Sequence, residues 1–287
     1  MAQNYKKIYL LIGLSGFAIF IWTAIFNFNS QKTLAVDFLD VGQGDAILIR
    51  APENKEILID AGPNSSLLNQ ISKKLPFYNK TIEGIIITHP DNDHIAGFTP
   101  LLERYKVLFI IYTGLEHNLS AYNRILEIAK EKHIPLYLAK AGSQIKISDE
   151  LTLDIIAPFE NFSGKTAKKN NNTSIVSRLV YGKTSYLFTG DAEAEEENKL
   201  LESKQNINSD VLKVGHHGSK SSSSEDFLKM VSPKISIISA GKYNRYGHPH
   251  KETLERLKTT GTQIFRTDEN GNIEIQSDGE NLTLENF

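Results

Sequence analysis

The chain has 287 residues, no cysteine, and 32 basic against 34 acidic residues, for a net charge of −2. Lack of cysteine excludes disulfides and thiolate metal ligands, and the mixed, nearly balanced charge gives no general electrostatic case for nucleic-acid binding, so a polyanionic substrate has to be held locally. After an N-terminal hydrophobic stretch about 255 residues remain, enough for one large α/β domain with a substantial core; no second domain is required.

Residues 8–28 form an almost uninterrupted apolar run. About 21 residues at helical rise span roughly 30 Å, the thickness of a bilayer core. Lys6 and Lys7 precede the run and Trp22, Phe26 and Phe28 lie near its far end, so the positive-inside rule puts the N-terminus in the cytoplasm and the rest outside. A cleaved signal peptide, which leaves a secreted protein, is the alternative; the length of the run and the following N-F-N-S-Q-K favour an uncleaved anchor. The expected division is therefore 1–32, membrane anchor or signal, and 33–287, a single domain.

Strands are expected at 34–39 and 46–49, joined by a turn that Gly42 and Gly44 permit, then at 56–60 and 82–88. Helices follow at 65–74, 98–105 and 120–131, with strands at 107–112 and 135–139 between and after them. Further strands fit 151–157, 174–181, 184–189, 211–214 and 235–239, and further helices 192–201, 223–231 and 251–259. The Asn- and Lys-rich link 161–173 suits an exposed loop, Ser219–Ser224 a flexible one, and 262–266 with 272–276 a terminal hairpin. Strands gather, a helix intervenes, and the pattern recurs in the second half. Two sheets packed face to face with helices outside, an αββα sandwich, satisfy that order.

The chemistry gathers at strand ends. Behind the strand at 82–88 comes H-P-D-N-D-H, placing His89, Asp91, Asp93 and His94 within six residues. His89 and Asp91 can bind one divalent ion while Asp93 and His94 turn toward a second; the alternative is an ordinary polar turn. Three other apolar runs end at Gly with Asp or His beside them: L-I-D-A-G with Asp60, L-F-T-G-D with Asp191, and V-L-K-V-G-H-H-G-S with His216, His217 and Ser219. On spacing, Asp191 serves equally as the cap of the helix that follows it. Residues 244–250, N-R-Y-G-H-P-H, also leave a strand and lead into a helix whose free N–H groups suit an anion, so His248 can donate to a phosphate or protonate a leaving oxygen. A nucleophilic serine has no support, since there is no G-x-S-x-G elbow.

Together with F-L-D-V-G-Q-G-D-A at 38–46, these motifs resemble the metallo-β-lactamase superfamily, and specifically the hydrolase domain of ComEC-type competence proteins, over residues 33–287. The resemblance implies the αββα fold preceded here by one transmembrane helix, two divalent ions, Zn2+ or Mn2+, and hydrolysis by an activated water that Asp93 orients or deprotonates. It implies the metal ligands His89, Asp91, Asp93, His94, Asp191 as the bridging carboxylate, and, of the adjacent pair, His216, with His217 contacting substrate. Asp60 would support the ligand loop, as carboxylates behind ligating histidines do; Asp40 and Asp45 match the opening motif but are equally good turn formers. Where the superfamily mostly has His, this chain has Asp91, and an oxygen-rich position brings manganese into consideration beside zinc. Its usual further His is replaced by the Asn-rich segment 170–174, leaving Asn172 and Ser174, with Ser219 and His250, as candidates for contact with substrate. The expected activity is a membrane-anchored extracytoplasmic phosphodiesterase or nuclease acting on DNA. Hydrolysis of another ester, lactone or amide, or a DNA-uptake or binding subunit without catalysis, are the alternatives. A single span cannot form a DNA channel by itself.

Overall fold

A computed structural model describes residues 2–28 and 33–285. Helix α1 (Ala2–Phe28) contains the 18-residue stretch Lys6–Thr23, none of it buried against the rest of the chain. It is long and apolar enough to cross a bilayer, and its apolar side chains leave no polar face for a position on a soluble core. The 32/33 boundary and the cleavage alternative turn on residues 29–32, which lie outside the described residues.

The first half of the domain comprises β1 (Leu34–Phe38), β2 (Ile47–Ala51), β3 (Lys55–Ile59), α2 (Ser66–Lys74), β4 (Thr81–Ile86), α3 (Asn92–Ile95), α4 (Phe98–Arg104), β5 (Lys106–Tyr112), α5 (Ser120–Glu131) and β6 (Leu136–Leu138). The second comprises β7 (Gln144–Lys146), β8 (Leu151–Ala157), β9 (Val176–Tyr181), β10 (Thr184–Phe188), α6 (Ala194–Glu202), β11 (Val211–Lys213), α7 (Glu225–Val231), β12 (Ile235–Ile238), α8 (Lys251–Thr259), β13 (Gln263–Arg266), α9 (Thr267–Asn270), β14 (Ile273–Ser277) and β15 (Leu282–Leu284). They form an eight-stranded sheet in the order β15-β14-β1-β2-β3-β4-β5-β6 and a seven-stranded sheet in the order β13-β12-β11-β10-β9-β8-β7.

Strand periodicity explains the layering. Successive side chains point to opposite faces, so on β2 Ile47 and Ile49 enter the layer between the sheets with Val36, Ile57 and Phe188, while Leu48 faces outward with Leu58 and Ile85. That outer face is covered by Leu67, Phe98 and Ile125 of α2, α4 and α5. On the second sheet Leu187 and Leu212 meet Leu200, Phe227 and Leu257 of α6, α7 and α8. Each such side chain, removed from water, contributes about 1.5–3 kcal/mol. The αββα sandwich expected from the sequence is the architecture present.

Strand polarity positions the site. β3, β4, β5 and β6 run parallel, as do β10, β11, β12 and β13, and β1 runs with β3 because both are antiparallel to β2. The loops after β1, β3, β4, β10, β11 and β12 therefore leave at one rim of the sandwich. Two expectations need correction. Residues 262–266 and 272–276 form no hairpin: β13 pairs with β12 and β14 with β1, in different sheets, and α9 carries the chain across, held by Thr267 donating to the Ala240 carbonyl at 3.1 Å. The segment 219–224 is no loose loop either, since Ser222 and Ser223 are buried and Ser222 donates to Gly215 O at 2.6 Å.

Candidate metal centre

Asp60 is the natural starting point, because it sets two other residues. Its Oδ1 accepts the Thr88 amide at 2.9 Å, and its Oδ2 accepts the Thr88 hydroxyl at 2.7 Å and lies 2.8 Å from His94 Nδ1. A carboxylate can only accept, so the His94 proton sits on Nδ1 and the Nε2 lone pair is left to face the cleft. His217 is set in the same way: its Nδ1 is 2.9 Å from the Ser239 carbonyl, which also only accepts. His89 Nδ1 lies 3.0 Å from Thr88 Oγ1 and 3.4 Å from Ser174 Oγ.

All three Nε2 atoms are buried without a hydrogen-bond partner, and so is Asp191 Oδ1. They converge on the other oxygen of Asp191: Oδ2 lies 3.9 Å from His89 Nε2, 3.3 Å from His94 Nε2 and 3.4 Å from His217 Nε2. Asp91 Oδ2 adds a contact 3.6 Å from His89 Nε2, and Asp93 Oδ2 one 3.3 Å from His217 Nε2. Two donors about 2.1 Å from a tetrahedral ion stand about 3.4 Å apart. The donor set thus fits cations, in two overlapping groups that share His94: His89, His94 and Asp191 on one side and Asp93, His94 and His217 on the other, with Asp191 also within reach of His217.

Electrostatics point the same way. Asp45, Asp60, Asp91, Asp93 and Asp191 gather with Lys213 as the compensating cation. Burial works against charge on His217, yet Asp191 and Asp45 outweigh it and push its pKa up to about 9; His94 is raised for the same reason by Asp191 and Asp60. Burial also opposes charge on Asp91, and His89 overcomes it to hold Asp91 at about 2. A field that favours protonated imidazoles favours a bound cation in their place.

Of the adjacent histidines, the resemblance implies His216 at the metal and His217 at the substrate; the structure reverses their placement. His217 is buried in the cluster, whereas His216 is a quarter exposed, with Nε2 4.0 Å from Asp191 Oδ2 and Nδ1 3.3 Å from Glu193 Oε1. Both have left-handed backbones, φ 45° and 52°, which swing the second ring inward. Asp191 is not a helix cap, because α6 starts two residues later than expected and its N-cap position falls on Glu193.

The remaining candidates make these contacts. Asp45 is buried, paired with Lys213, and 3.4 Å from His217 Nδ1. Asp40 forms a local turn, accepting the Gly42 amide at 3.1 Å. Asn172 turns from the cleft to α6, donating to Glu195 at 3.0 Å and accepting the Glu193 amide at 3.3 Å. Ser174 is wholly buried, accepting the Asp191 amide at 3.1 Å beside His89. Ser219 is buried and its carbonyl accepts Thr253 Oγ1 at 2.8 Å; His250 immediately precedes α8, and its Nδ1 accepts the Lys220 amide at 3.1 Å. Asn172, Ser174 and Ser219, proposed from sequence to meet substrate, are buried and bonded within the protein, Asp40 bonds within its own loop and to neighbouring Gln70 and Asn272, and His250 stays partly exposed with its ring 4.9 Å from that of His248. His248 stands next to the cluster, its ring 5.4 Å from that of His216 and 6.2 Å from that of His217.

Sequence reasoning missed Lys213, Asn170 and Asn171. Lys213 Nζ donates to Asp45 and, at 3.0 Å, to the Gly190 carbonyl; Asn170 holds Asp91 Oδ1 at 2.7 Å, and Asn171 lies 3.2 Å from His216 Nδ1. The signal for Lys213 is its position inside V-L-K-V, a strand covered on both faces. The opening loop packs so closely that a Cβ on Gly44, φ +137°, would stand 2.1 Å from the Asp93 carbonyl oxygen.

Fold and donor geometry define a metallo-hydrolase class, and the comparisons specify it. Residues 39–242 match the family described as the metallo-beta-lactamase superfamily, and the chain belongs to it. It is similar to ComE operon protein 3 of Bacillus subtilis, 34% identical over 84% of this chain and 33% of that protein. Recombination protein 2 of Haemophilus influenzae is 32% identical over 88% of this chain and 30% of its own length, and competence protein ComA of Neisseria gonorrhoeae 27% identical over 92% and 36%. The chain thus spans about a third of the length of these curated relatives, all ComEC-type competence proteins. Among solved structures, the metallo-beta-lactamase fold protein YhfI of Bacillus subtilis has a TM-score of 0.57 at 12% identity, covering 85% of this chain and all of that one, a likeness of fold.

Proposed function

We propose that this protein is a membrane-anchored, metal-dependent phosphodiesterase whose domain lies outside the cytoplasm and acts on DNA or another phosphodiester. The observation that carries the reading is the convergence of three unpartnered imidazole nitrogens on one oxygen of Asp191. His89, Asp91 and Asp191 would hold one ion, and Asp93, His94, His217 and Asp191 a second, Zn2+ or Mn2+. When bound, such ions supply Lewis acidity toward a phosphoryl oxygen and lower the pKa of water.

The chain's own residues do the rest. Asp93 is 30% exposed, at the border between the ligand cluster and solvent. Burial raises its pKa, but His217 and His94 prevail and lower it, so at neutral pH it is ionised and able to orient a water molecule and accept its proton. His248 is buried enough, and near enough to His217 and His216, that its pKa falls to about 4. At pH 7 the ring is neutral and offers one N–H to a phosphoryl oxygen; that protonation state fits hydrogen bonding better than the general-acid role. The family's usual further His is absent from the first position, where Asn170 instead holds Asp91. This favours, as a second reading, a DNA-binding subunit whose first position stays weakly occupied.

The test uses the full chain in detergent, loaded with Zn2+ or Mn2+, and measures bound metal and turnover of a single-stranded oligonucleotide, a lactone and a β-lactam. Phosphodiester cleavage is expected. Lactone opening without it would replace the substrate class, and about one bound ion per chain without turnover on any of them would support the binding subunit.

A further inference from the structure

Next to Asp93 the chain exposes aromatic surface that hydrolysis of a small ester does not require. The loop after β12 carries Tyr243, 92% exposed, and Tyr246, 50% exposed, with Arg245 between. The Tyr246 ring stacks nearly parallel to His248, centroids 5.6 Å apart and planes 21° apart. The Arg245 guanidinium lies 5.1 Å from the same ring and donates to its hydroxyl at 3.0 Å.

This loop is held in place. Asn244 donates to the carbonyls of Gly241 at 2.8 Å and His248 at 2.6 Å, and its Oδ1 accepts the amides of Tyr246 at 3.1 Å and His248 at 2.9 Å. Gln43, from the opposite loop, accepts the Gly241 amide at 3.1 Å through Oε1, and its Nε2 is buried without a partner. Gln43, Asp93, Tyr243, Arg245 and Tyr246 line one open cleft of about 400 Å³. Aromatic faces give sequence-tolerant stacking for a base, a guanidinium suits a phosphate, and a free amide N–H suits a base or sugar oxygen.

We propose that this cleft is a nucleotide subsite, with Tyr243 and Tyr246 stacking an unpaired base beside the phosphodiester and Arg245 holding its flanking phosphate. The inference rests on the phosphodiesterase reading and narrows it to single strands, because in a duplex the faces of each base are covered by its neighbours. A stacking contact of about 1–3 kcal/mol per base corresponds to a preference of about 5- to 150-fold.

The full chain in detergent is assayed on a single-stranded oligonucleotide, the same strand with tetrahydrofuran abasic residues, and the strand annealed to its complement. The parent should prefer the base-bearing single strand by about tenfold or more in kcat/KM. Tyr246→Ala and Tyr243→Ala together should bring the base-bearing to abasic ratio within about twofold at the parent's metal content, and Tyr246→Trp should keep it. Equal cleavage of base-bearing and abasic strands by the parent, a ratio that survives the double substitution, or duplex cleaved as fast as single strand overturns the subsite and leaves the phosphodiesterase reading standing. A parent that binds metal and cleaves neither strand overturns both.

Discussion

Lys213 sits with no exposure to water, its ammonium against Asp45 and 3.8 Å from Asp191 Oδ1. Burial alone would lower its pKa, but the two carboxylates raise it, so the pair is ionised. Removing one member of a buried pair leaves the other charge uncompensated, which costs about 3–5 kcal/mol. Lys213→Met should lose about that much in urea denaturation, and adding Asp45→Asn should recover a large part of it. The histidine pair supplies a second prediction: His217→Ala should lower bound metal by about one ion per chain by elemental analysis, on the two-ion reading, while His216→Ala should keep the parent's content. Sequence displayed both histidines but not their order. Which of two neighbours points inward is decided by their left-handed backbones, set by packing around Gly215 and Ser222 rather than by spacing.

At the scale of elements, β3, β4 and β10 were legible because each ends in a buried apolar run, residues 57–59, 85–86 and 186–188, and β3 and β10 reach a glycine within three residues. The three-residue strands β7 and β15 were not, being too short to show a period. The supposed terminal hairpin failed because pairing is a tertiary choice: the turn at Glu269-Asn270-Gly271 is compatible with joining one sheet or crossing between two. An ionisable strand residue offers a pH test. Burial raises the pKa of Glu56 on β3 to about 7, with Glu83 adding to the shift and the Asn79 hydrogen bond opposing it. The unfolded chain releases this proton near pH 4.5 and the folded chain only near 7, so the stability that Glu56 contributes is present below 4.5 and is lost as pH rises through 7. Glu56→Gln should therefore match the parent's thermal midpoint at pH 4 and exceed it at pH 8, by roughly 2–4 °C per kcal/mol relieved. A gain at pH 4 of the same size would show that charge is not the cause.

The whole molecule joins a helix suited to lipid to a domain that does not bury it. Expressed from residue 33, the domain should stay soluble without detergent and unfold at the midpoint of the full chain, whereas the full chain should resist alkaline carbonate extraction from membranes. A lower midpoint for the shorter chain would show that α1 also supports the fold. Strand polarity then sets how the protein presents itself. The polypeptide enters the sandwich at Leu34, the start of β1, and the ligands lie beyond the far ends of strands that rise about 17 Å over five residues. The chain entry at Leu34 and the ligand cluster therefore lie at opposite ends of β1, so the rim that carries the site opens away from the end at which the chain enters the sandwich.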